Sequence, residues 1–88
     1  MNHKHRAILH ALFAHPISSN IDPKDVKAVL ETLGAEITHG GHSHVVIKLN
    51  GHSHGFHETP HSLTKDEVAG VRKLLEDADI DPARDYPL

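Results

Sequence analysis

Three features of this sequence predict an α+β fold, with helices covering one face of a short antiparallel sheet. Apolar residues recur at helical spacing before residue 34 and again after residue 64, whereas the stretch between them switches to β-branched runs. Within that stretch Asn50-Gly51 separates two strand-like segments, where a two-residue hairpin turn belongs. Helix, helix, three strands and helix, in that order, give a single sheet with its helices on one side.

The first element is a helix over residues 3–15: Ile8, Ala11, Leu12 and His15 fall at helical spacing, Leu9 and Phe13 widen the stripe, and Pro16 stops it. PISSNIDP follows, rich in turn and cap residues. Asp22 is placed to cap a second helix, Pro23 takes its first position, and Val26, Val29, Leu30 and Leu33 make its inner face before Gly34 ends it. AEITH, VVIKL and HSHGFH then read as three strands. Thr64 with Glu67 three positions on forms a capping box for a last helix, whose buried face is Val68, Val71, Leu74, Leu75 and Ala78. Residues 22–78 are thus the core of one domain spanning 1–88, and the charged, proline-bearing segment 79–88 reads as a poorly ordered tail.

Composition limits the function classes. A chain of 88 residues is one small domain, since only about 60–65% of the unfolded surface is buried at this size. The chain has no cysteine, which excludes a disulfide framework and leaves histidine and carboxylate as the only strong zinc ligands. No unbroken apolar segment suits a signal peptide or membrane span, so the expectation is a cytoplasmic protein with no membrane partner. The formal charge of −3 speaks against strongly electrostatic nucleic-acid binding. The eleven histidines qualify that reading, because imidazoles with a reference pKa of about 6.5 turn cationic in mild acid or beside phosphate.

Seven of those histidines fall between residues 39 and 61, where two HSH triplets flank an apolar run. A two-residue turn at Asn50-Gly51 pairs Leu49 with His52, Ile47 with His54, Val45 with Phe56 and His44 with His57. Val45, Ile47, Leu49 and Phe56 then share the core face with His52 and His54 near its turn end. His42, His44, Val46, Lys48 and His57 share the other. Two chemistries suit this pattern. His42, His44 and His57 offer nitrogen ligands for zinc, copper or nickel, although no carboxylate stands as an obvious fourth ligand. Alternatively, His44 and His57 divide general base and acid roles at a phosphodiester, with Lys48 stabilising the developing charge. The bland reading of each is a solvated histidine. The same holds for Lys65, Arg72 and Lys73, which either track an RNA backbone or form a charged outer face. With few aromatics available for base stacking, RNA would be held through shape and phosphate contacts.

KHRAILHALFAHPISSNID, DVKAVLETLGAEI, GGHSHVVIKLNG, GFHETPH and VRKLLEDADI, taken in order, resemble the HicA (YcfA-like) family of toxin-antitoxin proteins. The resemblance implies a double-stranded-RNA-binding-domain-like fold with an extra N-terminal helix. It implies an mRNA interferase, a cofactor-free and metal-independent endoribonuclease, neutralised by a HicB-type antitoxin. The family's Gly-Ser-His triplet matches His42-Ser43-His44, so His44 takes the catalytic position and His42 stands where the glycine would be. In the family's His-Arg-Pro-His-Pro segment, His57, Pro60 and His61 match, Glu58 is extra, Thr59 replaces the arginine and Ser62 the last proline. The implied site is therefore catalytic His44 with His57 as second acid or base, and Ser43, Lys48, His57, His61 and Lys65 contacting RNA. A family branch with arginine in the triplet lacks the base, which leaves a non-catalytic RNA- or antitoxin-binding module as the alternative, and a histidine-rich metal-binding domain as a third.

Overall fold

The computed structural model describes residues 1–18, 20–42, 44–57 and 62–88. Its elements are α1 (His3–Leu12), α2 (Pro23–Thr32), β1 (Glu36–His39), β2 (His44–Leu49), β3 (His52–His57), α3 (Lys65–Asp77) and α4 (Pro82–Asp85). The α+β class and the three-stranded antiparallel sheet are those the sequence predicts.

Local chemistry sets most boundaries. The Asp22 carboxylate accepts the Lys24 N–H at 2.8 Å and so caps α2, with Pro23 at its first position. At the other end Gly34 turns left-handed, φ +95°, which lets its own N–H reach the Glu31 carbonyl and the Ala35 N–H reach that of Leu30. The capping box of α3 is complete: the Glu67 N–H donates to Thr64 Oγ1 at 3.1 Å and the Thr64 N–H to Glu67 Oε1 at 2.9 Å.

Strand order is β1-β2-β3, all antiparallel. Asn50 and Gly51 both have positive φ, 51° and 82°, as a mirror-type hairpin turn demands. The β2–β3 register is the predicted one, from His44 opposite His57 to Leu49 opposite His52. Val45, Ile47, Leu49 and Phe56 consequently point into one core with Val26, Val29 and Leu30 of α2 and Val68, Val71, Leu74 and Leu75 of α3. Leu9 and Leu12 bring α1 into the same cluster, packed against both α2 and α3. The amide of Asn50 donates to the Ala78 carbonyl at 3.0 Å, fastening the hairpin turn to the end of α3.

Two expectations need correction. The first helix stops at Leu12 rather than running to residue 15. Pro16 gives the physical reason, having no N–H to donate to the Leu12 carbonyl four residues back; the Arg72 guanidinium of α3 donates to that carbonyl instead, at 3.1 Å, and to the Ala14 carbonyl, at 3.3 Å. The tail is folded back onto the domain instead of fraying. Asp81 caps α4 by accepting the Ala83 and Arg84 N–H groups, Pro82 is buried, Tyr86 packs on the core, and the His10 ring Nε2 donates to the Tyr86 carbonyl at 2.7 Å. Among the described residues no helix is long and apolar enough to cross a membrane.

Two measurements check this account. Thr64→Ala removes the oxygen that caps α3, and chemical denaturation should show a loss of about 1 kcal/mol. The second concerns Asp85, held down to about 2 by the side-chain hydrogen bond from Arg84 and by the Asp81 N–H. A carboxyl lowered on folding contributes fully above its unfolded value, about 4, and loses that contribution as pH falls towards 2. Acid titration followed by NMR should therefore loosen α4 in that window, and Arg84→Gln should move the Asp85 midpoint upward.

Candidate functional site

The face of the sheet turned away from the helices carries Glu36 and Thr38 from β1, His44, Val46 and Lys48 from β2, and Ser53, Gly55 and His57 from β3. Alternation along each strand puts them there once Val45, Ile47 and Leu49 are committed to the core. The two imidazoles at its open end touch. His44 and His57 face each other across the β2–β3 pair, ring centroids 5.4 Å apart and planes inclined at 71°, edge to face.

The bed under His44 is made of absent side chains. A Cβ built on Gly55 would stand 3.0 Å from both Cε1 and Nε2 of the His44 ring, and one on Gly40 would be 3.7 Å from its Cβ and Cδ2. The ring therefore lies across β3 towards the sheet, and His44 is half-buried on a face that is otherwise mostly exposed. Its backbone is held as well: the Gly40 N–H donates to the His44 carbonyl at 2.7 Å, and the His44 N–H to the Gly41 carbonyl at 3.1 Å. Between these bonds His42 adopts φ +56°, a left-handed conformation in which glycine is at ease and most side chains are not.

The remaining predicted site residues are dispersed. Lys48 is on the open face, exposed and paired in register with Glu36 on β1. Lys65 opens α3 and is exposed. Ser43 and His61 lie outside the described residues, as do Glu58, Thr59 and Pro60 of the second motif. The second HSH triplet sits where the pairing rule puts it, with His52 and His54 on the helix-facing side of β3. Among the described residues no three histidine, aspartate or glutamate side chains are arranged to share a metal ion.

Sequence reasoning did not single out Gly55, although a glycine inside a strand is the usual signal of a close approach at that point. Arg72, read as either an RNA contact or a solvated charge, is half-buried, and its guanidinium donates to the carbonyls of Leu12 and Ala14 at the end of α1. Searches against family models, curated proteins and solved structures return no match for this chain.

The strain at His42 is measurable. His42→Gly should raise the stability of the fold by about 0.5–1 kcal/mol in chemical denaturation, relief of the left-handed side chain outweighing the entropy that glycine adds to the unfolded chain.

Proposed function

We propose that this chain is a HicA-like toxin, a double-stranded-RNA-binding-domain-like protein that binds mRNA and cleaves it without a metal, with His44 as the catalytic base. The observation that carries the reading is the contact of His44 with His57 on the open face. Two imidazoles at this spacing can serve one phosphodiester. His44 takes the proton of a ribose 2′-hydroxyl, the oxygen attacks phosphorus, the bond to the 5′-oxygen breaks, and His57 supplies the proton that oxygen needs. Lys48 shares the face and adds positive charge for the phosphate. The products are a 2′,3′-cyclic phosphate and a free 5′-hydroxyl, and neither metal nor cofactor enters the balance. A HicB-type antitoxin would silence the enzyme by covering this face. Ser43, His61 and Lys65 complete the RNA contacts in this reading.

One observation favours a second reading, a non-catalytic module that binds RNA or antitoxin. Neither His44 nor His57 is hydrogen-bonded through its ring to a described residue, and such a bond is what usually fixes a catalytic tautomer. One assay separates the two. Wild-type protein should cleave single-stranded RNA equally well with and without EDTA, His44→Ala should abolish turnover, and His57→Ala should slow it by about 10²–10⁴-fold. A wild type that binds RNA and never cuts it would eliminate the enzyme and leave the binding module.

A further inference from the structure

The second HSH triplet takes no part in the open-face pair, yet its last histidine is held more closely than His44. His54 lies opposite Ile47 on the helix side of β3 and packs against Gly70 in the middle of α3. A Cβ on Gly70 would stand 2.5 Å from both Cε1 and Nε2 of that ring, so even alanine requires the histidine to move. Glycine inside a helix is destabilising relative to alanine. Here the missing side chain seats an imidazole.

The surroundings of that imidazole are polar. Lys73 and Asp77 follow Gly70 along the same side of α3, and with His52, Ser53, His54 and Leu74 they line a solvent-open cleft of about 220 Å3. The side chains of Lys73, His52 and His54 make no ion pair or hydrogen bond with a described residue. The cleft thus presents an ammonium and two imidazoles, all able to donate, against the single carboxylate of Asp77. His52, His54 and Asp77 are not arranged to share a metal ion. A ligand with several acceptor oxygens and negative charge suits these donors better than a cation does.

We propose that this cleft is a phosphate-binding site, distinct from the His44–His57 pair and on the other face of the sheet. Lys73 supplies the charge, His54 a ring N–H whose position Gly70 secures, and His52 a second donor. Asp77 opposes the anion and limits affinity. Free phosphate and the backbone of a nucleic acid present the same oxygens, so both belong in the test.

The experiment follows the histidine Cε1–Hε1 signals of the isotopically labelled chain during titration with sodium phosphate, with sodium chloride at matched ionic strength as reference. His52 and His54 should shift saturably while His3, exposed on α1, follows the chloride reference. Lys73→Gln should weaken binding about tenfold, the loss of one charge-assisted hydrogen bond, and Asp77→Asn should tighten it. Gly70→Ala should weaken it by displacing His54, with circular dichroism confirming that the variant is folded. Saturation by a short RNA without terminal phosphate, at lower concentration than inorganic phosphate, assigns the site to a nucleic-acid backbone; saturation by inorganic phosphate alone assigns it to a free phosphate group. Shifts no larger than in chloride, shared by all exposed histidines, or unchanged in Lys73→Gln overturn the proposal. Loss of RNA cleavage as a function of the protein would leave this readout unaffected.

Discussion

The register of the β2–β3 hairpin is the constraint on which the rest of the structure depends. Asn50 and Gly51 both turn left-handed, which fixes a two-residue connection and leaves one pairing that puts Val45, Ile47, Leu49 and Phe56 together in the core. A slip by one residue would expose that set and bury Lys48. The same parity places His44 and His57 on the open face and His52 and His54 on the helix face. Hydrophobic burial selects the register; the placement of the histidines follows from it.

Much of this was legible because the signals were local. The Asn-Gly turn, the Asp22 cap with Pro23, the stop at Gly34 and the Thr64–Glu67 box each act within four residues of the backbone they shape, so spacing alone reveals them. What escaped was tertiary. Arg72 satisfies the end of α1 from sixty residues away, and nothing in the helical periodicity of residues 3–15 announces it. The tail carried the signature of a capped turn in Asp81-Pro82, but its order also rests on the His10 bond to the Tyr86 carbonyl. The candidate site divides in the same way. The side that His44 and His57 share could be counted along the strands, whereas the close approach of His44 to Gly55 could not.

Left-handed residues show how the chain distributes strain. Gly34, Asn50 and Gly51 occupy such positions with residue types suited to them. His42 and Asp79 carry the same conformation with larger side chains, though of types that tolerate it better than β-branched residues do. At Asp79 the cost is offset: the Asp79 N–H and the Ile80 N–H close the end of α3 on the carbonyls of Glu76 and Leu75, and Arg84 donates to the Asp79 carbonyl at 2.9 Å. At His42 the flanking bonds belong to Gly40, Gly41 and His44. The strained residue therefore sits two positions from the histidine whose placement matters most for the proposed chemistry.

The two HSH triplets are identical in sequence and opposite in setting, and the difference lies in what each final histidine rests on. His44 lies over a strand glycine on an open face, in edge contact with a second imidazole; this leaves two titratable rings accessible to a large, flexible ligand. His54 is set against a helix glycine beside a lysine and an aspartate, in a solvent-open cleft of about 220 Å3. In both cases the residue that makes room is on a neighbouring element, so neither triplet carries its meaning in its own three letters. An imidazole acquires a role when its neighbours restrict where its ring nitrogens can be. Here two glycines, Gly55 and Gly70, impose that restriction by omitting a side chain.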